Sequence, residues 1–168
     1  QFCRLQYRGP LLMGRGARVL GLGKLKLGGV AKVGAHATLD ARFCEGVQLG
    51  RRFSLGDFSI FRASGSPDFT AGPVTVGDNV TFGPYCNIGG GFGVVIGENC
   101  VFGPYVSIHP EGHVFANRSV PIREQGIVGT GIRLGADNWV GAKATVLDGA
   151  RIGSGCVLGA ACVVVAGV

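Results

Sequence analysis

Along residues 131 to 164, GIRLGADNWVGAKATVLDGARIGSGCVLGAACVV, an aliphatic residue stands at every sixth position: Leu134, Val140, Val146, Ile152, Leu158 and Val164. An amphipathic helix repeats its apolar stripe near 3.6 residues and a half-buried strand at 2, so neither accounts for this spacing. A stacked coil does. Each six-residue unit makes one flat side of a triangular turn, its aliphatic residue points inward, and about eighteen residues close the turn over the next one. The same beat runs through Leu27, Val33, Leu39; Leu49, Leu55, Phe61; Val76, Phe82, Ile88; and Ile96, Phe102, Ile108. Glycine commonly follows the aliphatic position, where a tight corner favours a residue without Cβ. Four places after it stands a small side chain that shares the narrow interior: Ala31, Ala37, Ser59, Cys86, Cys100, Ala144, Ala150, Cys156 and Cys162. The pattern predicts an all-β solenoid as one domain over 1–168, with 1–19 as a lead-in.

Insertions in a solenoid leave at corners without disturbing the stack, so function is sought where the beat breaks. It breaks between Leu39 and Leu49, between Phe61 and Val76, between Ile88 and Ile96 across the glycine run GGGFG, and between Ile108 and Leu134. The last gap loops out HPEGHVFANRSVPIREQGIVGTGIR, which carries His109 and His113, two of the chain's 3 histidines. A loop of that length inside a compact domain points to a functional segment, and 109–131 is taken as the site.

Composition narrows the class. Glycine at 32 of 168 residues suits a corner-rich solenoid, while 46% hydrophobic content excludes a disordered chain. None of the 6 cysteines forms a CxxC pair and four fill the small interior slot, which reads as free structural thiols in a reducing, cytoplasmic setting. No stretch of eighteen apolar residues is present, so neither a membrane span nor a signal peptide is expected. The net charge of +6 is uneven: residues 1–62 hold eleven Lys/Arg against three Asp/Glu. These cations are scattered and lack aromatic interleaving, which argues against nucleic acid. Asn79 and Asn117 begin nominal glycosylation triplets without a secretory signal to support them.

GADNWVGAKATVLDGARIGSGCVLGAACVV resembles the last coils of the hexapeptide-repeat acyltransferases, in particular the branch with galactoside, maltose and capsular-polysaccharide O-acetyltransferases, and IHPEGHVFANRSVPIREQG resembles its histidine loop. The resemblance implies a left-handed parallel β-helix and a homotrimer with active sites between neighbours. It implies acetyl-CoA as donor, no metal, and direct transfer to a sugar hydroxyl in a ternary complex. It places the general base on His113, with Glu111 able to orient or tune it. Backbone amides at Gly141 and Ala142, beside Trp139, are to hold the thioester oxyanion, and Gly159 and Ala160 the pantetheine arm. Asn87 and Tyr85 are to meet the acceptor. Where relatives commonly carry a Thr-Lys pair this chain has Val165-Ala166, leaving Lys143 and Arg151 as candidate phosphate contacts.

Two other classes stay open. A γ-type carbonic anhydrase shares the solenoid and holds zinc on three histidines, but His36 lies seventy-three residues before His109, about four coils away at about 4.8 Å per layer. A β-helix serving only as scaffold has no evident use for the histidine loop.

Overall fold

The computed structural model describes residues 6–7, 9–64 and 69–167. The chain is a left-handed parallel β-helix. Each coil lays one short strand on each of three parallel seven-stranded sheets, so seven coils stack into a triangular prism. In one of them, Val94–Ile96 lies on the first sheet, Val101–Phe102 on the second and Ser107–His109 on the third. The register keeps the six-residue beat in column: Val76 pairs with Ile96 and Ile96 with Leu134, Phe82 with Phe102 and Phe102 with Val140, Ile88 with Ile108 and Ile108 with Val146. The stack begins upstream of the aliphatic beat, because Gln6–Tyr7, Leu11–Met13 and Arg18–Leu20 already form a coil within what the sequence presents mostly as a lead-in.

The interior is the predicted one. All inward residues from Leu27 to Val146 are buried, and Phe53, Phe61, Phe82 and Phe102 form a ring cluster with Phe82 and Phe102 stacked at 4.3 Å. Each such side chain contributes about 1.5–3 kcal/mol on burial. Cys86 and Cys100 lie in the small slot and Cys44 beside Ala41; burial pushes all three thiols up, which keeps them protonated. Cys156 and Cys162 are half-buried in the last coil, and Cys3 lies outside the described residues.

The corner between the second and third sheets holds an element that the glycine pattern did not announce. The glycine there precedes a left-handed residue by two places, and that residue is His36, Phe58, Tyr85, Tyr105, Lys143 or Ala161 in successive coils, with φ between 55° and 62°. The left-handed conformation costs about 1–2 kcal/mol per non-glycine residue. In the first four of these coils it is accompanied by ring stacking, with centroids 5.2, 5.2 and 4.9 Å apart down the ladder from His36 to Tyr105.

All four interruptions of the beat leave at one other corner, where the third sheet passes to the first. They stack on each other there: Ala71 N–H donates to Phe43 O, Glu45 N–H to Ala71 O, Gly72 N–H to Gly91 O, and Ile132 N–H to Gly93 O. The prism therefore carries one ridge of insertions, and the histidine loop is its last member.

Candidate functional site

The loop is folded and tied down. Gly112–His113 pairs antiparallel with Ile127–Val128, so His113 sits in the stem of a small hairpin with its side chain exposed. Gln125 knits the tip: its Oε1 accepts from Asn117 N–H, and its Nε2 donates to Asn117 O and Val120 O. Asn117 Oδ1 accepts from Ser119 N–H, an Asx turn that shapes the tip of the loop. At the base, Asp148 accepts from Thr130 N–H and Gly131 N–H at 2.8 Å each. Arg151 donates to Gly131 O at 2.7 Å and Thr130 O at 3.1 Å. Gly129 passes over the Phe92 ring so closely that a Cβ would collide with it, which is what the aromatic residue in GGGFG supports. Arg151, a candidate phosphate contact on sequence grounds, is thus engaged with the loop's carbonyls.

A cleft of about 160 Å³ opens where the loop leaves the third sheet, lined by Arg62, Asn87, His109, Glu111 and the backbone of Gly89 to Gly91. The register explains it. Arg62 pairs with Gly89, the neighbouring coil ends in His109, and glycine between these two long side chains leaves a notch. Asn87, expected at the acceptor, is here, and so is Glu111, whose carboxylate lies over Gly91 and makes no hydrogen bond to His113. His109, which the sequence reading set aside, lines the cleft; His113 does not. Arg62 was missed because nothing in its local pattern separates it from the other scattered cations of the basic half. Asp40, one coil back in the same column, is bonded through both oxygens by Arg42. That guanidinium holds the Asp40 carboxyl below the usual range against burial, with a smaller contribution from Arg62. A wider depression of about 720 Å³ on the first sheet, by Lys26, Gln48 and Thr75, gathers none of the candidate residues.

The expected donor residues lie elsewhere on the prism. Gly141 and Ala142 form the corner between second and third sheets in the sixth coil, and Gly159 and Ala160 the same corner in the seventh. Here the structure corrects one assignment: Gly141 N–H donates to Leu158 O at 2.8 Å in the coil-to-coil ladder and is not free to hold an oxyanion. Gly141 is glycine for packing, since a Cβ would fall 2.6 Å from Ala160 N. The N–H groups of Ala142, Gly159 and Ala160 have no protein acceptor among the described residues. At the place of Ala142, Ala35 N–H is capped by Asp57 Oδ1 and two other coils carry Pro84 and Pro104, whereas the N–H groups of Arg15 and Asp57, like that of Ala142, have no protein acceptor among the described residues.

Trp139 projects from the second sheet, 58% exposed, and does not pack beneath the loop. The loop leaves at the third-to-first corner, the one the second sheet does not touch, so a single prism keeps Trp139 apart from His113. Tyr85 stands in the aromatic ladder, on the corner next to Asn87's sheet. His36 is three coils from His109, one fewer than residue counting gave, because the insertions consume sequence without adding layers. It stacks on Phe58 and lies over Gly16, and no group of three metal-binding side chains occurs among the described residues. Among the described residues no helix is long and apolar enough to cross a membrane.

No protein-family model matches the chain. It is 32% identical over 161 residues to the probable acetyltransferase Rv3034c of Mycobacterium tuberculosis, an alignment covering 96% of this chain and 48% of that protein. The chain thus spans about half the length of the curated relative it matches. Two crystal structures of variants of AntD, an N-acyltransferase from Bacillus cereus, share the fold. One, with dTDP and coenzyme A, superposes with TM-score 0.54 over 91% of this chain and 72% of that chain. The other, with dTDP-4-amino-4,6-dideoxyglucose and coenzyme A, gives 0.53 over 90% and 71%. Identity to both is 15%, so this likeness concerns architecture alone.

Proposed function

We propose that this chain, a member of the hexapeptide-repeat acyltransferase family, moves an acetyl group from acetyl-CoA to a hydroxyl of a sugar, with His113 as general base. The observation that carries the reading is a division of labour on one prism. A tied-down histidine arm occupies one corner, and the same coils offer unengaged backbone amides at another. In the reaction, the imidazole accepts the hydroxyl proton as the oxygen attacks the thioester carbonyl. The Ala142 N–H stabilises the tetrahedral oxyanion. Collapse breaks the C–S bond, and the coenzyme A thiolate takes the proton from the imidazolium. Gly159 and Ala160 supply amides for the pantetheine arm, and Asn87 and Tyr85 face the acceptor. The coenzyme A bound in both AntD structures supports the donor and the amino-sugar nucleotide in one supports a sugar as acceptor, while the choice of hydroxyl over amine rests on the resemblance of the histidine loop.

The reading requires a second copy, because His113 and the Ala142 edge belong to different corners. A homotrimer supplies it in our reading, with the second sheet and its exposed Val101, Trp139 and Val157 facing a neighbour's loop. The free thiols suit a cytoplasmic setting. Coenzyme A release is to be measured against paired hydroxyl and amino sugars. A hydroxylamine-labile product with the hydroxyl series supports ester formation, and turnover confined to the amino sugars refutes it. Light scattering should give three chains per particle. Inactive His113→Ala and Ala142→Pro chains, refolded together, should regain part of the activity; no recovery sinks the shared site.

A further inference from the structure

The glycine run of the fourth coil remains unexplained by acyl transfer. At the corresponding place in two earlier coils, Ala41 N–H donates to Leu20 O and Ala63 N–H to Asp40 O. The series stops at the cleft: Gly90 and Gly91 are both buried, yet neither N–H has a protein acceptor among the described residues. Buried amides without partners are rare in folded chains, and consecutive ones form a small concavity suited to an anion. Arg62 lines the same cleft and makes no ion pair among the described residues. The nearest carboxylate in its column, Asp40, is already held through both oxygens by Arg42. Only Glu111 opposes an anion there. Its side chain is exposed, and no hydrogen bond or ion pair fixes its carboxylate over Gly91.

We infer that the cleft between Arg62 and His109 is an oxyanion subsite, and that Arg62 selects acceptors carrying a phosphate or a carboxylate. The guanidinium offers paired N–H donors, the amides of Gly90 and Gly91 supply two more, and Asn87 reads a neighbouring oxygen. Glu111 turns out to solvent as the anion enters. The site itself stands on this geometry; its assignment to the acceptor rests on the acetyl-transfer reading.

The test separates the two. The protein is titrated at low salt with inorganic phosphate and, separately, with acetate, following the backbone amides of Gly90 and Gly91 by NMR. Saturable shifts at both amides are expected, and the tighter of the two probes identifies the anion. Arg62→Leu should weaken binding roughly tenfold or more. Glu111→Gln should strengthen it at least about twofold, because it removes an opposing charge. Gly91→Ala, whose Cβ meets chiefly the movable carboxylate of Glu111, with the Glu111 Cβ at 3.2 Å, should abolish the shifts, and an unchanged amide spectrum away from the cleft checks that it folds. Absence of saturable shifts in the unaltered protein, or indifference to Arg62→Leu, overturns the subsite. Weakening by Glu111→Gln overturns it too, in favour of a cleft that reads neutral hydroxyls. Phosphate binding that leaves coenzyme A release from every active acceptor unchanged keeps the anion site and overturns its assignment to the acceptor.

Discussion

Replacing Asp148 by alanine should loosen the histidine arm while leaving the prism intact. Its carboxylate accepts from Thr130 N–H and Gly131 N–H, the two residues at which the loop rejoins the first sheet. Thr130 is exposed, so water replaces its lost partner; Gly131 is buried, and its amide is left unsatisfied. Charge-assisted bonds are worth about 1.5–3 kcal/mol each, and an orphaned buried donor costs about 1–3 kcal/mol, so local opening should become about 2–3 kcal/mol easier. Native-state hydrogen exchange at Gly131 and in the hairpin should accelerate about 30- to 150-fold, with little change in the interior of the coils. Turnover should fall, because His113 is carried by that hairpin, while KM for acetyl-CoA holds. Asp148→Asn, retaining one acceptor oxygen, should be intermediate. Unchanged exchange across 112–131 refutes the clamp. Uniform acceleration through all seven coils would show instead that Asp148 supports the prism.

His113→Ala should lower turnover about 10²- to 10⁴-fold and remove the limb of the pH profile that rises through a histidine pKa, whereas His109→Ala acts mainly on acceptor KM; the opposite pattern moves the base to the cleft histidine. Ala142→Pro deletes one amide at a corner where Pro84 and Pro104 already show that proline fits, so thermal stability should hold while kcat drops about 10²- to 10³-fold; full activity removes Ala142 from the oxyanion site. Asp40→Asn should cost about 1–3 kcal/mol in denaturant melts at neutral pH. Because Arg42 lowers the folded Asp40 pKa, its stabilisation is complete above the ordinary carboxylate value of about 3.9 and fades as pH falls through the lower folded one. The mutant and unaltered curves should therefore converge only in strong acid, and convergence already at pH 6 contradicts the pair. Under native conditions a thiol reagent should modify Cys156 and Cys162 well before Cys44, Cys86 and Cys100; equal rates would contradict their burial.

The periodicity of six was enough to establish the solenoid, its inward residues and the places where it is interrupted, because a repeating coil writes each layer into the next stretch of sequence. Leu134, Val140 and Val146 could be placed in the core from spacing alone, and the histidine loop stood out as the longest departure from it. Other features depend on contacts between distant coils, which spacing does not encode. That all insertions share one corner decides that Asn87, His109 and Glu111 meet Arg62, and that the base of the loop rests on Phe92, Asp148 and Arg151. Residue type could not tell that Gly141 N–H is bonded to the next coil while Ala142 N–H is free, since hydrogen-bond satisfaction is settled by what lies 4.8 Å or so above. The aromatic ladder was hidden for the same reason: His36, Phe58, Tyr85 and Tyr105 are separated by whole coils and meet only when those coils are stacked. Sequence determined the repeat because the repeat is local in period; the tertiary stack decided the chemistry, because each donor, charge and notch takes its meaning from the layer beside it.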